Sequence, residues 1–109
     1  MKGKEVIRRY KEGQRNFVGE NLREANLQAA NLQNAVLNWA NLQSANLYGA
    51  NLTGADLQGA NLAGATLRKA NLEGATLDQT DLTDAEVTGR QLAQAASLDD
   101  AISPDGTRY

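Results

Sequence analysis

The side chains that could carry out chemistry in this sequence are acids and hydroxyls, because the chain contains no cysteine and no histidine. An acidic stretch carries five carboxylates and no basic residue: Glu73, Asp78, Asp81, Asp84 and Glu86. Paired carboxylates can hydrolyse glycosidic bonds, and acid-rich loops can bind calcium. The stretch lacks the ligand spacing of an EF-hand loop. We therefore interpret it as solvated surface, with a metal site or an anion-repelling site as the alternative.

Nucleophilic catalysis has no support in the sequence either. Ser44, Ser97 and Ser103 carry hydroxyl groups, but the chain has no imidazole to act as their general base. Glycines between residues 49 and 64 could suggest a phosphate-binding loop, yet they recur every five residues and no Gly-Lys-Ser/Thr motif follows them. The sequence thus predicts no enzyme, no catalytic residue, no cofactor, no metal site and no small-molecule substrate.

Between residues 15 and 94 the sequence has a period of five residues. A small residue, usually alanine, stands two positions before each central apolar residue from Leu27 to Val87, and asparagine or aspartate usually stands one position before the central residue. Glycine is frequent two positions after it. The central residues form the predicted core stack: Phe17, Leu22, Leu27, Leu32, Leu37, Leu42, Leu47, Leu52, Leu57, Leu62, Leu67, Leu72, Leu77, Leu82, Val87 and Leu92.

Neither a helix nor a straight strand can bury a period of five. Five residues rotate a helix by a net angle of about 140°, which would spread the leucines around all its sides. In a strand, positions five apart point to opposite faces. The period fits a chain that turns a corner in each pentapeptide and sends the small residue and the leucine inward. Stacked coils would share one core, and we expect the outward asparagines to form ladders between them.

Segments such as ANLQAANLQNA at residues 25–35 and GADLQGANLAGATL at residues 54–67 resemble the A(D/N)LXX repeats of the pentapeptide-repeat protein family. The resemblance covers residues 15–94, and the flanking segments are similar to those of small cyanobacterial members. It implies an all-β solenoid, namely a right-handed quadrilateral β-helix with four pentapeptides per coil. The chain would then form about four coils and a short N-terminal capping helix.

We divide the chain into an N-terminal helical cap at residues 1–14, a pentapeptide-repeat β-helix at 15–94, and a C-terminal cap and tail at 95–109. In the first segment, Val6, Ile7 and Tyr10 share one face of a predicted helix, which would cover the first coil. Its basic residues leave a membrane-surface helix as the alternative, although so few apolar groups make a weak anchor. We expect a cytoplasmic protein without membrane contact, because the sequence shows no signal peptide and no transmembrane segment.

Charge is distributed unevenly along the chain. Residues 1–24 carry seven basic and four acidic groups, a net charge of +3, whereas residues 25–109 carry four basic and nine acidic groups, a net charge of −5. Opposite ends could associate head to tail, so self-association stays open. Residues 25–55 carry no charge at all.

The main functional prediction is a non-enzymatic structural or protein-interaction module with an unidentified protein partner and no direct nucleic-acid binding. The family resemblance implies an alternative, because some members protect DNA gyrase by mimicking DNA with an acidic surface. This chain would then be a DNA-mimicking regulator of a topoisomerase-like enzyme. The uncharged segment argues against that role, since B-DNA carries one charge about every 1.7 Å along its axis.

The candidate partner surface consists of three apolar residues at outward positions, Val18, Val36 and Trp39. With four pentapeptides in each coil, these residues would lie on one side of the solenoid. Val36 replaces the usual asparagine, and Trp39 stands where glycine is common. Exposed tryptophan is enriched at interface hot spots. The alternatives are that a terminal segment covers the patch or that Trp39 is an isolated exposed side chain.

Overall fold

The computed structural model describes all residues from 1 to 109. Helix α1 spans Gly3–Lys11 and helix α2 spans Gly89–Ala93. Between them the chain turns once in every five residues. Parallel bridges join each pentapeptide to the fourth pentapeptide after it, from Asn16 with Val36 to Thr66 with Glu86. Each coil therefore contains four pentapeptides, and the molecule measures 37 × 23 × 23 Å.

The β contacts between coils are isolated residue pairs, and no extended strand forms. The reason is the spacing of the corners, because a chain that turns every five residues leaves no room for a longer straight segment. The structure thus has the stacked coils and parallel bridges of the predicted solenoid, without the continuous strands that an all-β fold ordinarily contains.

A pentapeptide with the usual asparagine satisfies all of its backbone N–H groups, which explains its residue types. Leu42 N donates to the carbonyl of Asn61 in the next coil (2.7 Å), and Asn41 N donates to that of Glu20 in the previous coil (3.0 Å). Gln43 N donates to the side-chain Oδ1 of Asn41 (3.1 Å). The N–H of the corner residue donates to the next coil, and the N–H of the alanine closes the turn. No backbone donor of this pentapeptide is left without a partner.

The asparagine before a leucine therefore stabilises the turn of its own pentapeptide. The expectation that these side chains form ladders between coils was wrong. Its side chain accepts the backbone N–H two residues later, as short polar side chains commonly do in turns. The asparagine side chains make one hydrogen bond to another coil, from Asn46 Nδ2 to Gln28 Oε1 at 3.5 Å. Stacking of the coils instead relies on backbone hydrogen bonds and on the core.

Central residues from Phe17 to Leu82 are buried, together with the small residues two positions before each leucine from Leu27 onward. Thr80 takes the place of one inward alanine, and its hydroxyl donates to the carbonyl of Leu57 at 2.7 Å. This hydrogen bond allows a polar group inside the core. Val87, the last but one residue of the predicted stack, is only half-buried.

The repeat register ends before residue 94, because residues 89–93 form helix α2 where a further pentapeptide was expected. Thr88 caps the helix, and its side chain and that of Gln91 form a capping box. Gln91 Nε2 also donates to the carbonyls of Leu67 (2.6 Å) and Ala70 (3.0 Å) in the preceding coil. Leu92 is buried, but as a helix residue.

After α2 the chain returns to the solenoid with one additional residue. Thr76 bridges Ser97 and Asp81 bridges Ile102, so the offset between these coils is one residue longer than that between the earlier coils. The last residues fold back, since Ile102 also forms an antiparallel bridge with Arg108. The C-terminal segment therefore covers the edge of the last coil.

Helix α1 covers the opposite end, where the first coil has carbonyl groups without a preceding coil. Tyr10 Oη donates to the carbonyl of Gln33 (2.7 Å), and the N-terminal amine donates to that of Asn21 (2.6 Å). The side chains of Val6 and Tyr10 are buried. These contacts protect an open edge of the solenoid. Neither α1 nor α2 has the length and apolar content that a membrane-crossing helix needs.

Candidate partner surface

One side of the solenoid, which we call face 1, consists of residues 16–20, 36–40, 56–60, 76–80 and 97–100. Parallel bridges stack its successive levels in one row, through Asn16, Val36, Asp56, Thr76 and Ser97. The structure brings the three residues of the candidate partner surface together on face 1, in its first two levels. The exposure of Val18 and Trp39 shows that no terminal segment covers them.

Trp39 is the most exposed large apolar side chain of face 1, with 59% of its surface accessible. It occupies a corner of the second coil with a backbone φ of 63°, a conformation that bulky residues rarely adopt. Its indole lies over Gly59 in the next coil, where a Cβ atom would overlap the six-membered ring. Because Gly59 has no side chain, the indole of Trp39 can pack directly against its backbone.

The two valines differ in exposure. Val18 is 47% exposed, whereas Val36 is half-buried. The backbone of Val36 forms parallel bridges with Asn16 in the previous coil and with Asp56 in the next coil. Because Val36 has no side-chain oxygen, the N–H of Asn38 lacks the acceptor that the usual asparagine provides in other repeats. Asn38 Oδ1 is also buried without a hydrogen-bond partner. The turn at residues 36–40 is thus less well satisfied than its neighbours.

Below the apolar residues, face 1 carries only acidic charges. They belong to Asp56, Asp78, Asp99 and Asp100, and no lysine or arginine lies among residues 36–40, 56–60, 76–80 and 97–100. Asp78 Oδ1 accepts hydrogen bonds from the hydroxyl of Ser97 and from the N–H of Asp99 at 3.0 Å. All ion pairs of the protein lie in its N-terminal part, between Glu5 and Glu24. The acids of face 1 therefore have no ion-pair partner.

The other acids that the sequence singled out point to different sides of the coil. Asp81 and Asp84 belong to the side that follows face 1, Glu86 to the next side, and Glu73 to the side after that, as their bridges and register show. The structure contains no group of three or more acids arranged to hold a metal ion. Among the hydroxyls, Ser97 donates to Asp78 and Ser103 donates to Asp105, so both take part in local hydrogen bonds.

The largest cleft, about 790 Å³, lies away from face 1. It is an open groove between α1 and the first coil, lined among others by Lys2, Lys4, Ile7 and Arg23. Arg23 is paired with Glu24 at 3.5 Å. The groove follows from a helix that crosses a corner of the first coil.

Sequence reasoning missed two features of face 1. The first is the contact of Trp39 with Gly59, although the stacking of every fourth pentapeptide would have indicated it. The second is the row of acids, in which the additional residue that α2 introduces places Asp99 in line with Asp78 and Asp100 at the corner. No local pattern in the sequence signals that change of register.

The comparisons with known proteins agree with the repeat. A family model described as pentapeptide repeats, with eight copies, matches residues 21–59 and 45–84. The solved pentapeptide repeat protein Rfr23 from the cyanobacterium Cyanothece 51142 is 40% identical over 68% of this chain and 54% of its own length, with a TM-score of 0.47. The chain thus spans about half the length of Rfr23. No curated protein matches the chain.

Two Nostoc proteins are also similar. The pentapeptide repeat protein alr5209 from Nostoc PCC 7120 is 32% identical, over 86% of this chain and 93% of its own, with a TM-score of 0.37. HetL, involved in heterocyst differentiation regulation in Nostoc sp. strain PCC 7120, is 22% identical over the full length of both chains, with a TM-score of 0.40. Because the repeat model matches more than half of the sequence, this chain belongs to the pentapeptide-repeat family.

Proposed function

We propose that this protein is a non-enzymatic interaction module that binds a protein partner through Val18, Val36 and Trp39 on face 1. The observation that carries the proposal is Trp39, a residue that is 59% exposed although its corner position tolerates glycine more easily. All corners from Gly19 to Asp84 have a positive φ, so Trp39 differs from them by the size and exposure of its apolar side chain. The side chain adds apolar surface where the repeat does not require it.

The chemistry of the remaining side chains supports a binding role. A chain without imidazole or thiol groups has few means of activating a nucleophile. The acids of residues 73–86 are spread over all four sides of the coil, which opposes the paired carboxylates that glycoside hydrolysis needs. We accordingly propose no cofactor and no small-molecule substrate.

A DNA-mimicking regulator of a topoisomerase-like enzyme is the second candidate function. The acids of face 1 and the neighbouring Asp81 and Asp84 favour it, because they lie on adjacent sides of the same end of the solenoid. The uncharged residues 25–55 oppose it, since they interrupt negative charge over more than one coil, about 5 Å of axis for each coil. The interaction module therefore remains the main proposal.

Two further properties belong to the same proposal. Membership of the family supports a right-handed quadrilateral winding for the coils, to which four pentapeptides per coil correspond. We also propose a cytoplasmic location, to which the lack of a membrane-crossing helix among α1 and α2 corresponds.

Affinity capture from a cyanobacterial lysate tests the main proposal. The parent protein is compared with Trp39→Ala and with Tyr48→Ala, a control that removes another exposed aromatic ring on a different side of the coil. We expect a captured protein to be lost with Trp39→Ala and retained with Tyr48→Ala. Identical captured proteins for all three would contradict a binding role for Trp39. A DNA supercoiling assay with a topoisomerase tests the second candidate, which predicts inhibition by the parent protein.

A further inference from the structure

We infer that face 1 binds an extended basic segment of another protein, with an apolar side chain on Trp39 and lysine or arginine side chains along the acids below it. The inference rests on the proposed function and names the chemistry of the partner. It follows from three observations on face 1, namely a seated aromatic ring, a row of acids without ion-pair partners, and the spacing between them.

The aromatic anchor is held in place before any partner binds. The indole of Trp39 lies against the backbone of Gly59, and the corner residue before it in the same row, Gly19, has no side chain. One flank of the ring is thus supported and its outer surface remains accessible. A side chain that is already ordered loses little conformational entropy on binding, which is the advantage of a preorganised anchor.

The charges select the partner. Asp99 and Asp100 are exposed, and Asp56 and Asp78 are half-buried, so all four carboxylates meet solvent or a partner. Asp56 Oδ1 accepts the N–H of Gln58 (3.1 Å), which fixes the side chain at its place in the row. Arg108 donates to the backbone carbonyl of Asp100 at 3.4 Å and forms no ion pair there. Four acids without an ion-pair partner attract a basic segment and repel nucleic acid and acidic proteins.

The spacing predicts where the basic residues of the partner lie. Successive coils are about 4.8 Å apart, so Asp78 lies roughly 10 Å below Trp39 along the axis and Asp99 roughly 14 Å below it. An extended peptide rises about 3.3 Å per residue. Because successive side chains of an extended segment point to opposite faces, the lysine or arginine side chains directed at face 1 would lie two and four residues from the apolar side chain, about 7 and 13 Å along the axis.

The segment belongs to another protein and not to a second copy of this chain. The basic part of this chain is α1 and its surroundings, but Val6 and Tyr10 of that helix are buried against its own first coil. Arg8 and Arg9 are paired with Glu5 and Glu12 on or beside the same helix. A second copy would thus offer basic groups without an exposed apolar anchor beside them.

Selection from a phage-displayed library of short random peptides tests the inference. The targets are the parent protein and Trp39→Ala. We expect the parent to enrich peptides with an aliphatic or aromatic residue and with basic residues two and four positions from it. Enrichment of peptides without basic residues, or equal enrichment by Trp39→Ala, would overturn the inference.

Two charge variants provide the matched comparison. Asp56→Asn with Asp78→Asn removes two charges from face 1 and keeps the oxygens that accept local hydrogen bonds, while Asp81→Asn with Asp84→Asn removes two charges from the adjacent side. Binding of a synthetic selected peptide is followed by the fluorescence of Trp39, the single tryptophan of the chain. We expect the first pair to weaken binding about three- to tenfold and the second by less than about twofold. Equal effects of both pairs would refute the role of face 1.

The same variants separate this inference from the proposed function. Loss of a lysate partner with Trp39→Ala, together with a selection that shows no basic peptides, would leave the interaction module standing and remove the basic segment. Sedimentation of the protein without peptide tests whether a second copy of this chain, and not another protein, binds face 1. A parent protein that self-associates, and becomes monomeric with Trp39→Ala, would overturn the inference in favour of a homotypic contact.

Discussion

Gly59→Ala is the substitution that tests most directly how Trp39 is held. The change adds one methyl group at a corner whose backbone φ is +70°, at a position where a Cβ atom would overlap the indole of Trp39. Gly49→Ala is the matched control, because its φ is +67° and a Cβ atom there would have no neighbour within 4 Å. The two variants share the backbone effect and differ in the contact with the indole.

The expected magnitudes follow from these two effects. An alanine in the left-handed region costs about 1 kcal/mol relative to glycine, and this cost applies to both variants. At Gly59 the indole must also leave its seat, and because it is largely exposed it can move without disturbing the core. We therefore expect a further cost of about 1 kcal/mol, at the lower end of the range for overpacking. Gly59→Ala should then reduce the free energy of unfolding by about 2 kcal/mol and Gly49→Ala by about 1 kcal/mol.

Urea unfolding followed by circular dichroism measures both values, and a double-mutant cycle with Trp39→Ala isolates the contact. In the Trp39→Ala background, the cost of Gly59→Ala should fall to that of Gly49→Ala. The fluorescence spectrum of Trp39 should change in Gly59→Ala alone. Equal costs for both glycine substitutions in the parent background, or an additional cost that persists without the indole, would refute the packing of Trp39 on Gly59.

Further predictions concern the core, the corners and the C-terminal turn. Leu52→Ala should lower the free energy of unfolding by about 2–5 kcal/mol in urea, because Leu52 is fully buried in the stack; an unchanged midpoint would contradict the solenoid core. Ala29→Gly should raise the melting temperature by relieving a φ of 58°, with a gain of about 1 kcal/mol, whereas Ala63→Gly, at a position without positive φ, should not. The hydroxyl of Ser103, the hydroxyl of Thr107 and the Thr107 N–H lower the pKa of Asp105 from 3.8 to about 2. Because the folded-state pKa is depressed, the stabilisation of the turn at residues 103–107 is present above about pH 4 and is lost as the pH falls through 2. The amide shift of Thr107 should follow that titration, and a titration that persists in Asp105→Asn would exclude Asp105 as its source.

The period of five was sufficient to predict the corners, the inward leucines and alanines, and four pentapeptides per coil once the family resemblance was considered. These features are local or repeat at a constant distance, so that one pentapeptide contains the information for all of them. The placement of Val18, Val36 and Trp39 on one side could be predicted for the same reason, since they depart from the repeat at positions whose direction the period determines. The role of the asparagines was interpreted wrongly, because a polar side chain at an outward position can bond to its own turn or to the next coil, and only the coordinates distinguish the two.

The amino-acid sequence alone therefore specifies the repeating part of the molecule: the apolar period, the inward small residues and the frequent glycine corners. Tertiary contacts set where the period ends and what lies beside Trp39. Residues 89–93 fit the period well enough to suggest another pentapeptide, but the capping box of Thr88 with Gln91 and the contacts of Gln91 with the preceding coil stabilise a helix there. That helix adds one residue to the last coil, which places Asp99 in line with Asp78 and Asp100 at a corner of face 1. Contacts between coils join residues that are a whole coil apart in the chain. A single inserted residue therefore changes every later pairing between coils, and no local sequence pattern can reveal this change.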